Sequence, residues 1–176
     1  DGRIGLFTSI AADLLVDVFG YYSPSGATRA GRFIPLTPQR LLDTRGNATV
    51  SEGRVVRLSL PAGIPVDTEG QVLNVTAVNS RLRADGFGYW SAYPAGSDRG
   101  TTSNINISSL NQTIANQVIV KPTASGIDFY SYAGGDLLVD VMGYYSGASA
   151  LVSEDGLFVP ISPTRLLDTR STPNPL

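Results

Sequence analysis

Apolar and polar residues alternate along most of this chain. VLNVTAVN at 72–79 sets Leu73, Val75 and Ala77 against Val72, Asn74, Thr76 and Val78, the period of two that belongs to a strand inside a layered sheet. RVVRLSLP at 54–61 puts Val56, Leu58 and Leu60 on one face and Arg57 and Ser59 on the other. GFGYWSAY at 86–93 sets Phe87, Tyr89 and Tyr93 opposite Trp90, and DLLVDVMGYY at 136–145 sets Leu137, Val139 and Val141 opposite Asp136, Leu138 and Asp140. TIANQVIVK (113–121) and GIDFYSY (126–132) flank PTAS, which predicts a hairpin turn. Short runs with turn residues between them are the spacing of an all-β chain.

The expected fold is an antiparallel two-sheet β-sandwich of about eight or nine strands. Jelly-roll and immunoglobulin-like topologies stay open, with a trefoil or small barrel as the alternative. One departure is expected. Thr37-Pro38 and Ser162-Pro163 pair a hydroxyl residue with proline, the pattern of a helix cap and first helical position. It predicts a single helical turn at 37–41 and again at 162–166.

Self-comparison reveals a repeat. DLLVDVFGYYS at 13–23 returns as DLLVDVMGYYS at 136–146, with one position changed. FIPLTPQRLLDTR at 33–45 returns as FVPISPTRLLDTR at 158–170. Order and spacing are both kept, so the chain divides into the tail of one repeat (1–23), a complete repeat (24–146) and the head of a third (147–176). The joints SPSGATRAGR and SGASALVSEDG are rich in Gly, Ser and Ala, as short linkers are. Both flanking segments keep the strand pattern and are expected to be ordered strands.

Composition narrows the chemistry. The 176 residues include no Cys and no His. A zinc site of the usual N/S kind, haem or iron–sulfur ligation, disulfides, a Ser–His–Asp triad and a Cys nucleophile are thereby excluded. No cofactor or metal is expected. The net charge of −2 gives no electrostatic footprint for nucleic acid. No apolar run approaches the roughly 20 residues of a membrane helix.

RLLDTR, VLNVTAVN, the YPAG turn at 93–96, TSNINISSLNQTIANQVIV and LLVDVMGYYS follow one another in an order that resembles tandem repeats of secreted and cell-surface proteins of actinobacteria and some other bacteria. The resemblance covers essentially the whole chain. It implies an extracellular or cell-surface location and a modular architecture, and it implies no defined activity. The leading expectation is a structural or adhesive protein, not an enzyme: a stalk, fibre or filament whose partners are copies of itself or neighbouring repeats, head to tail. The alternative is a carbohydrate-binding module whose partners are glycans.

Three groups of residues are candidates. In RLLDTR, Arg40, Asp43 and Arg45, with Arg165, Asp168 and Arg170 in the second copy, place a carboxylate between guanidiniums. This fits a binding site, or a structural ion pair that pins a turn while Leu41 and Leu42 enter the core. Asp136 and Asp140, with Asp13 and Asp17 in the earlier copy, alternate on one strand face. That fits calcium ligands, a glycosidase pair, or acceptors for backbone and Arg donors. Phe87, Tyr89, Trp90 and Tyr93 fit a sugar-stacking platform or core and interface packing. Tyr144 and Tyr145, with Tyr21 and Tyr22, sit beside the joints and fit inter-repeat packing.

Overall fold

The computed structural model describes residues 4–23, 28–46 and 49–170. It is all-β, with ten strands and no helix among the described residues. No helix there is long and apolar enough to cross a membrane. The chain gathers into two compact units, a larger one over Pro24–Leu157 and a smaller one made of Asp1–Ser23 with Phe158–Leu176.

The larger unit carries β2 (Phe33–Asp43), β3 (Val55–Leu58), β4 (Gly70–Val78), β5 (Gly88–Pro94), β6 (Ile105–Ile107), β7 (Ile114–Val120), β8 (Ile127–Ser131) and β9 (Asp136–Tyr145). They form two four-stranded antiparallel sheets, ordered β2-β9-β4-β7 and β3-β8-β5-β6. Alternation decides which side chains face inward. Leu73, Val75 and Ala77 of β4, Leu137, Val139 and Val141 of β9, and Val118 and Val120 of β7 line one wall. Leu58, Trp90, Ile105, Ile107, Ile127 and Phe129 line the other, and the two walls share one core. Burying a large apolar side chain in this way contributes roughly 1.5–3 kcal/mol. The sandwich expectation therefore stands.

Two local expectations are corrected. Thr37-Pro38 and Ser162-Pro163 start no helical turn: both lie inside strands, and the backbone runs extended through 37–41 and 162–166. Among the described residues β2 pairs with β9 alone, at the edge of its sheet. Its register slips between Pro35 and Gln39, so a missing proline N–H falls where the ladder is already interrupted. A second slip between Arg40 and Leu42 lets Leu41 and Leu42, adjacent in sequence, both pack against the core.

The turn at PTAS is also no hairpin. β7 belongs to one sheet and β8 to the other. Val118 and Val120 line one wall of the core and Ile127 and Phe129 the opposite one, so the chain must change sheets between them. It does so tightly: Gly126 N–H donates to Thr123 O at 2.9 Å, and Thr123 N–H to Gly126 O at 3.1 Å. Gly126 has φ +101°, and a Cβ there would lie 1.9 Å from Leu58 O, so only glycine fits.

The joints are strapped down in the larger unit. Thr28 and Ser153 exchange backbone hydrogen bonds of 3.1 and 3.0 Å. The guanidinium of Arg29 reaches Ala150 O at 2.9 Å. Arg32, a buried arginine, donates from Nε to Thr28 Oγ1 at 3.0 Å and from Nη1 to Asp155 O at 2.6 Å. Part of the first joint, 24–27, lies outside the described residues.

The smaller unit holds β1 (Leu15–Ser23) and β10 (Leu157–Asp168), hydrogen-bonded to each other as a two-stranded sheet.

Candidate functional site

The RLLDTR motif closes the pairing of β2 with β9. Thr44 N–H donates to Leu137 O at 3.1 Å, and Leu137 N–H donates to Thr44 Oγ1 at 2.9 Å. The Thr44 hydroxyl in turn donates to Asp136 Oδ1 at 3.2 Å, and Asn79 Nδ2 donates to Asp136 Oδ2 at 2.8 Å. Asp136 is thus a buried, fully engaged carboxylate. One residue before Thr44, Asp43 accepts from Arg45: its backbone N–H at 3.0 Å, and its guanidinium at 3.0 Å (Nε) and 2.6 Å (Nη2). Arg40 bonds Asp140, its cross-strand partner on β9, and reaches Asp43 at 3.3 Å. The candidates Arg40, Asp43, Arg45 and Asp140 therefore come together as one ion-pair cluster across two strands. The side-chain bonds of Arg45, then its N–H, hold the Asp43 carboxyl well below the usual carboxylate range. The hydrogen bond from Arg40 to Asp140 raises the Arg40 guanidinium further.

The smaller unit builds the same arrangement a second time. Thr169 N–H donates to Leu14 O at 3.0 Å, and Leu14 N–H donates to Thr169 Oγ1 at 2.8 Å. The Thr169 hydroxyl lies 3.3 Å from Asp13 Oδ1. Asp168 accepts from Arg170 N–H at 3.1 Å, Nε at 2.9 Å and Nη2 at 2.6 Å. Phe33 meets Tyr145 with ring centroids 5.7 Å apart and planes at 54°, and Phe158 meets Tyr22 at 5.4 Å and 57°. The side chains of Asp17 and Arg165, the counterparts of Asp140 and Arg40, lie outside the described residues. In the larger unit the pair joins β2 to β9. In the smaller unit it joins β1 to the C-terminal end of β10.

The aromatic candidates separate. Trp90 is 1% exposed and fills the core, because alternation on β5 turns it inward while Tyr89 and Tyr93 turn outward. It is no stacking surface for a ligand, which corrects that expectation. On the outer face, Tyr89 stacks on Tyr132, just beyond the end of β8, at 4.6 Å and 12°. Arg83 lies over the Tyr132 ring at 4.3 Å, and Arg99 over Tyr130 at 4.2 Å, cation–π contacts that brace the sheet. Tyr93 faces Asp128 across the strands, and Asp128 is gripped by Arg57 at 2.7 and 2.8 Å. Tyr144 packs against the core and Tyr145 against Phe33.

Beside Tyr89 and Tyr132 opens a groove of about 510 Å³, lined also by Asp85, Phe87, Asn106 and Ile107. Phe87 is 66% exposed at its rim. The Tyr132 hydroxyl donates to Asp85 Oδ2 at 2.6 Å, which lowers the Asp85 carboxyl. Of these, sequence reading singled out Phe87 and Tyr89. Tyr132, Asp85 and Asn106 reach the groove through strand register and turn geometry, which no local pattern announces. The pivotal Thr44 and Thr169 were also missed, although both stand in the repeated RLLDTR.

Comparison with protein-family models, curated proteins and solved structures finds no match to this chain.

Two outcomes follow from these contacts. Thr44→Val removes the hydroxyl that serves both Leu137 N–H and buried Asp136, and should lower stability by about 1–3 kcal/mol in chemical denaturation. Acid should destabilise the fold. Asp128, lowered first by the Arg57 bonds, and Asp43 both have folded pKa values below their unfolded ones. Their stabilisation is complete above the ordinary carboxylate range, about pH 4, and is lost as pH falls through the depressed folded values. Asp128→Asn should reduce the difference in denaturation midpoint between neutral pH and about pH 3.

Proposed function

We propose that this chain is a structural or adhesive protein, a tandem β-sandwich repeat that connects head to tail into a stalk, fibre or filament outside the cell. The observation that carries the reading is the strand pair built twice. The same threonine clasp, the same Asp–Arg pair and the same tyrosine–phenylalanine contact join strands of one repeat and strands of two different repeats. A pairing rule that ignores which repeat supplies the strand suits connection. The carboxylates that could serve catalysis are engaged instead: Asp136 by Thr44 and Asn79, Asp140 by Arg40. The likeness of the motifs to repeats of secreted and cell-surface proteins supports the extracellular setting. Negative-stain electron microscopy and sedimentation across rising concentration test it. Linear assemblies growing with concentration are expected, and compact monomers at every concentration would overturn the reading.

The groove favours a second reading, a module that binds a neutral saccharide. An exposed aromatic ring beside a carboxylate and a carboxamide matches a pyranose, whose C–H face stacks while its hydroxyls donate. Glycan-array binding abolished by Phe87→Ala, with the fold intact, is the expected result. Binding unchanged in that variant rejects the groove. Trp90→Ala serves as the contrast: it should cost about 3–5 kcal/mol of stability.

A further inference from the structure

The chain enters and leaves the larger unit side by side. Thr28 and Ser153 exchange two backbone hydrogen bonds. Gly31 N–H donates to Ser146 O at 2.8 Å, and Ser146 N–H donates to Arg32 O at 2.8 Å. The ladder continues with Phe33 opposite Tyr145, Ile34 opposite Tyr144 and Pro35 opposite Gly143. Buried Arg32 ties the two joints together, from Nε to Thr28 Oγ1 on the entering segment and from Nη1 to Asp155 O on the leaving one. The Ser146 hydroxyl adds a second tie: it accepts Arg32 N–H at 3.1 Å and donates to Arg29 O at 2.7 Å.

This placement decides how the unit meets tension. Antiparallel strands drawn apart by neighbouring ends separate one pair at a time, because the load falls on the outermost bonds alone. Strands drawn from opposite ends share the load among all their bonds. In a chain of linked repeats, tension reaches this unit through Thr28 and Asp155, which is the first geometry. β4 holds the other side of β9, from Gly70 opposite Tyr145 to Val78 opposite Asp136, so β2 is the strand that comes away. The β2–β9 ladder is thin between Pro35 and Gln39, where Leu36, Thr37 and Pro38 stand against Met142 alone. Both prolines also lack an N–H to give. Beyond that gap stand the Arg40–Asp140 ion pair and the Thr44 clasp on Leu137.

We infer that this end of the larger unit is a force-yielding clamp. Under tension the Arg32 and Ser146 ties open first. β2 then peels from β9 as far as Pro35, and the RLLDTR contacts arrest the peeling while β9, β4 and β7 stay paired. The unit lengthens without losing its sheet, a task separate from connection. This rests on the head-to-tail reading above, which supplies the load, and it gives RLLDTR the role of a stop.

The test is single-molecule force spectroscopy on the full chain, with handles on engineered cysteines, since the chain has none of its own. Ser25→Cys with Asp155→Cys draws the two joints apart. Ser25→Cys with Ala84→Cys, in the turn between β4 and β5, draws β2 and β4 from opposite ends of their sheet. The first pair should yield at about half the force of the second or less, with a pause before full unfolding. Arg32→Lys keeps the charge but not the fork and should lower the first force alone. Ser146→Ala should do the same, and Arg40→Ala should abolish the pause. Equal forces along the two axes, or variants that lower both forces alike, overturn the clamp. A single step without a pause overturns the stop. Either result leaves the head-to-tail reading standing. Compact monomers at every concentration would retire that reading, and the mechanical task with it, whatever the forces.

Discussion

The fold depends on a reciprocal clasp between a threonine and a strand start. Thr44 gives its N–H to Leu137 O and takes the Leu137 N–H on its hydroxyl. Its hydroxyl proton goes to Asp136. This sets where β2 stops against β9, strands far apart in the sequence. A one-residue slip in a strand exchanges its inward and outward faces. The clasp therefore fixes which residues of β2 stand opposite Leu137, Val139 and Val141, whose inward alternation the pairing with β4 also holds. Asp43, gripped by Arg45 within the same turn, keeps the backbone that presents Thr44 in place.

That constraint explains the division of labour along RLLDTR. The two leucines enter the core through a local slip in register, while the flanking charges pair with one another and with Asp140. A charged cluster half open to water contributes little net stability. Its value lies in directional, bidentate geometry that tolerates few alternative registers.

Much of this was legible in the amino-acid sequence. Period-two alternation placed Leu73, Val75, Ala77 and Val139 inward, and the recurrence of two long motifs marked segments that make like contacts twice. The structural alternative for RLLDTR, an Asp–Arg pair with both leucines packed inward, is the arrangement found. What failed were inferences that needed partners. Thr37-Pro38 looked like a helix cap because local pattern cannot tell that its strand lies at an edge, where proline is tolerated. PTAS looked like a hairpin because sequence adjacency does not say which wall of the core each strand must line. Trp90 looked available because an alternating strand reveals two faces but not which is buried. Tyr132 and Asn106 meet Tyr89 only through cross-strand register.

The central claim is that β1 and β10 reproduce the pairing of β9 with β2. Because the chain has no cysteine of its own, it can be tested with two engineered pairs. Phe33 and Tyr145 are directly opposed, a separation close enough for a disulfide, and Phe158 and Tyr22 are their counterparts. The double variants Phe33→Cys/Tyr145→Cys and Tyr22→Cys/Phe158→Cys should both close a disulfide on mild oxidation, read by mass spectrometry. If the first variant closes while the second, at positions 22 and 158, stays reduced, the account is contradicted.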